Sequence, residues 1–215
     1  MNINDVTEEI EVPKTFEGIW KAIFDKQMGL AQKYKDIENM GDLLETTTNN
    51  VDTAKGQKWI KDFAWRVTEE LAEAIEALEF AKTQALEEPE IAEQAMQHFR
   101  EELADALHFL VELSIIAGYN EQIVIDTLPN GIEILEEPHV WPTIYQLGLM
   151  CNCLKNKPWK QTQMLTDRPK FEQYLASTWT EMLQLLLVAM GDYEQVYLFY
   201  FKKNAVNQFR QRSKY

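Results

Sequence analysis

The sequence predicts an all-α protein, a helical bundle of two related helical hairpins in one chain, and three observations predict it. Apolar residues recur close to every 3.6 positions almost everywhere along the 215 residues. No run alternates β-branched residues with polar ones, as a half-buried strand would. Gly and Pro are few, at 8 and 7, so little interrupts the helical period.

Taken in order, residues 16–39 form the first predicted helix, which contains Gln27. A loop at 41–56, rich in Thr, Asn and Asp, precedes a second helix at 58–84 with the apolar stripe Leu71, Ala74, Ile75 and Leu78. The third, at 90–117, carries the matching stripe Leu103, Ala106, Leu107 and Leu110. Pro129, Gly131, Pro138 and Pro142 forbid a continuous helix across 128–142, and this segment divides the chain into halves. Three further helices follow at 141–155, 170–190 and 193–211. The halves echo one another: Gly118-Tyr119-Asn120-Glu121-Gln122-Ile123-Val124 resembles Gly191-Asp192-Tyr193-Glu194-Gln195-Val196-Tyr197, and each follows an apolar helix. The expected organisation is a single domain over 1–215, with a first half at 16–127, a second half at 141–200 and a basic tail at 201–215.

Composition excludes several classes. With 46% apolar residues the chain can bury a substantial core, which rules out wholesale disorder. With 21 Lys+Arg against 35 Asp+Glu the net charge is -14, which argues against a broad nucleic-acid footprint because such footprints need clustered cations. Cys151 and Cys153 are too few and too close for a disulfide framework, so a reducing compartment is expected. The acidic start lacks the apolar core of a secretory signal. His108, Glu112 and Gln184 interrupt the longest apolar stretches before they reach a membrane-spanning length. A cytoplasmic protein without membrane or nucleic-acid partners is expected.

The chemistry-bearing residues are paired carboxylates. Glu70 and Glu73 stand three apart on the second helix, and Glu102 and Asp105 do the same on the third, so each pair shares a helix face beside the packing stripe. Packing the stripes together brings four carboxylates to the edge of one interface, where they repel unless a cation neutralises them. Mg²⁺ suits such a site, since it takes carboxylate oxygens and substrate phosphates. Solvated helix-face charge is the competing reading, and it is the one assigned to Glu69, Glu76, Glu79 and Glu101. His108 and Phe109 continue the third helix's stripe, where core side chains are the default. The basic stretch 201–215 places Lys203, Asn207 and Arg210 on one helical face, as phosphate-binding donors or as a charged helix end.

The runs Glu70-Leu-Ala-Glu73, Glu102-Leu-Ala-Asp105 followed by Ala-Leu-His108-Phe109, and Lys203-Asn204-Ala-Val-Asn207-Gln-Phe209-Arg210 resemble the dimeric all-α dUTPases of bacteria, phages and trypanosomatids. They are similar also to the phage dCTP pyrophosphatases, all within the MazG-like NTP pyrophosphatase superfamily. The resemblance implies hydrolysis of dUTP to dUMP and pyrophosphate, with dCTP as the alternative substrate, by a homodimer that is phage-encoded or bacterial. It implies two or more Mg²⁺ ions per site, with Mn²⁺ as a substitute, held by Glu70, Glu73, Glu102 and Asp105. Glu70 would also polarise the attacking water. Phe109 would lie against the deoxyribose, Gln27 would reach the base, Lys203, Asn207 and Arg210 would close over the phosphates, and Asn204 would sit near the nucleoside. The chain departs from the family at Ala31, where Asn is common, and at Arg212-Ser213-Lys214-Tyr215, where Asp-Asn-Gly-Tyr is common. A rival from another class is a non-catalytic helical interaction protein. A di-iron bundle needs Glu-x-x-His pairs on two helices, and only Glu136/His139 has that spacing.

Overall fold

In the computed structural model, residues 3–6, 10–45, 47–127, 136–156 and 164–212 are described. Among them the chain is helical with no strand. Helices α1 (Phe16–Tyr34), α2 (Ala54–Gln84), α3 (Pro89–Ile116), α4 (Gln122–Ile125), α5 (Trp141–Cys153), α6 (Arg168–Met190) and α7 (Tyr193–Arg212) follow in order, with 3₁₀ turns at Ile3–Asp5 and Thr47–Asp52. The predicted divider at 128–142 and the family departure at 213–215 lie partly or wholly outside the described residues.

The first boundary differs from expectation: α1 stops at Tyr34 and residues 35–39 form turns, ending at Asn39 in the left-handed region at φ 57°. The segment 41–56 is also more ordered than its composition suggests. Asn50 is buried there, and its side-chain amide donates to the carbonyls of Leu43 (2.7 Å) and Ile116 (2.9 Å). Thr53 then caps α2 by accepting from Gly56 N–H at 2.9 Å, so the helix begins four residues earlier than the apolar period indicated. Gly56 is required there by close approach, because a Cβ would overlap the Asn50 carbonyl.

Helices α2 and α3 form one hairpin and α5 and α6 a second, while α1 and α7 pack against α3. Both hairpins end alike, in Gly118 (φ 91°) and Gly191 (φ 95°), which supports the internal echo read from the sequence. Their interiors differ. The positions of the second hairpin that correspond to Glu70, Glu102 and Asp105 are Thr143, Leu175 and Thr178, all fully buried. That hairpin is therefore built for packing. One continuous apolar core joins both halves, centred on Trp20, Phe63, Phe99, Phe171, Trp179 and Tyr200. Trp179 meets Trp20 edge to face at 5.7 Å and donates its indole N–H to Ser114 Oγ at 3.1 Å, tying α6 to α1 and α3. Burying each such aromatic contributes ~1.5–3 kcal/mol. Among the described residues no helix is long and apolar enough to cross a membrane.

Candidate active site

Packing α2 on α3 brings Glu70, Glu102 and Asp105 together, with one carboxylate oxygen from each lying within 4.8 Å of the others. Leu71, Leu103, Ala106 and Leu107 are buried beside them, so the apolar stripes fix the approach of the acids. Burial, together with a hydrogen bond to Glu102 and the charge of Asp105, pushes Glu70 up to about 8. Burial also raises Glu102. Glu73 is exposed and falls outside the three-carboxylate group, although its charge contributes to the rise at Glu70. The donor set is hard and anionic, which fits a divalent cation such as Mg²⁺.

The countercharge comes from α7. Lys203 is buried, and its Nζ lies 2.9 Å from Asp105 Oδ2 and 3.9 Å from Glu101 Oε2. Burial depresses the ammonium's pKa, but Asp105, Glu102 and Glu101 more than offset this, so it is raised on balance. Glu101, read from the sequence as a solvent-face charge, is instead part of the site: its side chain is only 19% exposed beside Lys203. The reason is α7, whose return across α3 cannot be seen in the local spacing of Glu101.

A cavity of about 270 Å³ opens beside the acids. Gln27, Glu70, Asp105, Phe109, Asn207 and Arg210, all singled out from the sequence, line it. Asn204 does not; it is fully buried, its Oδ1 accepting from Gln208 at 2.7 Å and its Nδ2 left without a partner. The basic tail is therefore an integral helix. Val206 and Asn204 are buried in it, and Lys33 on α1 donates to Gln208 Oε1 at 2.8 Å.

The far part of the cavity holds residues that the motifs did not point to. Arg66 donates both guanidinium nitrogens to Glu38, at 2.9 and 3.1 Å, and lies 4.6 Å from the Phe63 ring centre. Glu112 is buried and accepts from Gln27 Nε2 at 2.7 Å, while Gln27 Oε1 accepts from Tyr200 O–H at 2.7 Å. Burial pushes the Glu112 carboxyl up to about 8. His108 is buried as expected of a core histidine, but it also lines the cavity. Its ring stacks on Tyr200 at 4.0 Å and its Nδ1 bonds the Ala104 carbonyl at 2.7 Å, leaving Nε2 without a partner. Burial lowers its pKa, so the imidazole is neutral. The sequence signals were faint: Arg66 precedes Glu70 by one helical turn, and Glu112 is an acid inside an apolar run.

An all-α bundle whose first hairpin gathers three carboxylates, two of them lining a cavity of about 270 Å³, defines a class of carboxylate-centred site suited to a divalent cation. Residues 19–215 match a family model described as dUTPase, which covers nearly the whole chain, and the chain belongs to this family, the dimeric all-α dUTPases. Membership supports nucleotide pyrophosphatase activity in general. No curated protein and no solved structure matches the chain.

Proposed function

We propose that the protein hydrolyses dUTP to dUMP and pyrophosphate in a Mg²⁺-dependent reaction, with Mn²⁺ able to substitute. The observation that carries this reading is the convergence of Glu70, Glu102 and Asp105 within 4.8 Å at a cavity that also contains Gln27, Phe109, Asn207 and Arg210. Glu70, Glu102 and Asp105 would hold the metal, and the family resemblance adds Glu73, whose exposed carboxylate stands outside the three-acid group. When bound, Mg²⁺ supplies charge neutralisation of the triphosphate and orientation of the attacking water.

The chain's own groups supply the rest. Glu70, as a carboxylate, takes a proton from the water that attacks the triphosphate, and the bond broken lies between the α and β phosphates. Lys203, Asn207 and Arg210 bring donors and positive charge to the phosphates from one face of α7. Phe109 and neutral His108 flank the sugar, and Gln27 faces the base. Ala31 is fully buried and contributes no polar group, so the base is read by the Gln27–Glu112 end of the cavity.

A homodimer is part of the reading. Between α2 and α5 a shallow groove of about 280 Å³ is lined by Ala64, Trp65, Ile144, Leu147 and Cys151 among others, and Trp65 is 63% exposed there. Trp141 and Tyr145 on α5 are also exposed, which makes this an apolar face of the kind a second copy covers. Pyrophosphate release from dUTP, dCTP and UTP, each with Mg²⁺ and with EDTA, tests the function. Release that persists under chelation, or none from any deoxynucleotide, overturns it.

A further inference from the structure

We propose that Glu112 distinguishes the 4-carbonyl of uracil from the 4-amino group of cytosine, acting as a neutral carboxylic acid that presents its Oε1–H to the base. This inference rests on the nucleotide reading above and goes on to its base selectivity.

The position of Glu112 follows from the helix. Asp105, Phe109 and Glu112 lie on successive turns of α3 and all line the cavity. Seven residues at ~1.5 Å rise place Glu112 roughly 10 Å beyond Asp105 along the axis. A nucleotide with its phosphates at the acids and its sugar on Phe109 therefore brings its base to Glu112.

The hydrogen-bond pattern then assigns the donor. Burial raises the Tyr200 phenol well above its ordinary pKa, so its O–H is intact and donates to Gln27 Oε1. That contact fixes the amide of Gln27 with its NH₂ toward Glu112, where it donates to Oε2. Oε2 is thereby an acceptor, and a proton on this carboxyl belongs on Oε1. Oε1 makes no hydrogen bond among the described residues, and Glu112 lines the cavity, so this O–H is available to an occupant.

The surroundings keep the acid neutral. Gln27 and Tyr34 face this end from α1, Glu38 from the following turn, Arg66 from α2, His108 from α3, and Tyr200 and Arg210 from α7. Arg66, whose charge favours the ionised form of Glu112, is engaged by both oxygens of Glu38. A neutral Glu112 donates to a carbonyl oxygen at position 4. Facing an amino group there, it would set donor against donor. Once ionised, the carboxylate accepts from the amino group and repels the carbonyl.

The test is the ratio of kcat/KM for dUTP to that for dCTP, in which pH effects on shared catalytic steps cancel. For the wild-type protein the ratio should exceed one at about pH 6 and fall roughly tenfold or more by about pH 9, the scale of one unpaired buried group. In Glu112→Gln, which carries a permanent N–H donor in place of the O–H, dUTP should remain preferred with no such fall. A wild-type ratio that is flat with pH, or that falls equally in Glu112→Gln, overturns the assignment while leaving the pyrophosphatase reading intact. The wild-type profile decides alone if the variant does not fold. Hydrolysis of neither nucleotide sinks both readings together.

Discussion

Lys203 Nζ lies 2.9 Å from Asp105 Oδ2, with both side chains mostly buried, so the last helix supplies a cation to the acid cluster, while His98 Nδ1 lies 3.1 Å from Glu102 Oε1 on the same helix as the acids. Removing this cation leaves three crowded carboxylates with less compensation. Lys203→Met should therefore lower the melting temperature by several degrees, because breaking a buried pair costs ~3–5 kcal/mol at the upper end. Mg²⁺ should restore part of the loss. A calorimetric scan in EDTA and in Mg²⁺ checks both, and an unchanged Tm in EDTA would show the pair to be incidental. By the same packing, truncation after Tyr200 should unfold or strongly destabilise the chain, since it removes buried Asn204 and Val206 as well.

Glu70 is held protonated near neutrality by burial and by its acidic neighbours, with a pKa of about 8. A cation entering the cluster must displace that proton. Titrating Mg²⁺ into weakly buffered protein at about pH 7 should release roughly one proton per site, and Glu70→Gln should abolish the release. The same variant should retain measurable nucleotide binding while losing ~10²–10⁴ in kcat. Wild-type turnover would remove Glu70 from the mechanism.

Glu112 also links stability to pH. Its folded pKa of about 8 lies above the ordinary glutamate value of 4.5, so the folded state binds more protons between those values than the unfolded chain does. Stability from this group is present at acid pH and is lost as pH rises, by up to about 1.4 kcal/mol per unit across that window. Denaturant midpoints at about pH 5, 6, 7 and 8 should fall for the wild-type protein and fall less steeply in Glu112→Gln, where the raised Glu70 still contributes a slope of the same sign. A wild-type midpoint that climbs over this range would contradict the sign.

Phe109 lies half-buried on the cavity wall, its ring 6.1 Å from that of Phe63. A sugar against this ring has no partner for a 2′-hydroxyl, which costs ~1–3 kcal/mol, or roughly ten- to a hundredfold in kcat/KM. Phe109→Ala should erode the preference for dUTP over UTP by that factor. Equal turnover of the two by the wild-type protein would refute the sugar placement.

Trp65 tests the interface. Trp65→Glu places a charge on the apolar groove and should shift the protein to a monomer in sedimentation analysis, with the fold retained by circular dichroism. A dimer that persists would move the interface to another face.

Much of the site was legible because its spacing is local. Glu70, Glu102 and Asp105 sit at turn-spaced positions beside apolar stripes, and any packing of those stripes gathers them. Asn207 and Arg210 were legible from their shared helical face, Gln27 only through resemblance, and the cavity unites all three with Glu70 and Asp105. Glu73 shares the local pattern but is exposed and lies outside the three-acid group, whereas the equally spaced Glu102 and Asp105 both enter it, so the spacing of three alone does not decide which acids meet. Asn204 had the right neighbours in sequence, but its side chain is turned into the core.

What the sequence by itself determined is the helical class, the two-hairpin division and the carboxylate face, because helical period and apolar stripes depend on residues within a turn or two of one another. Tertiary structure alone decided that Glu101 and Asp105 meet Lys203, that Arg66 locks onto Glu38, and that Glu112, Gln27 and Tyr200 form one chain of hydrogen bonds. These contacts span from 28 to 173 positions in the chain. The return of α7 brings Lys203 and Tyr200 to their partners, while the packing of α1 and the turn after it brings Gln27 to Glu112 and Glu38 to Arg66, and no local period encodes those paths.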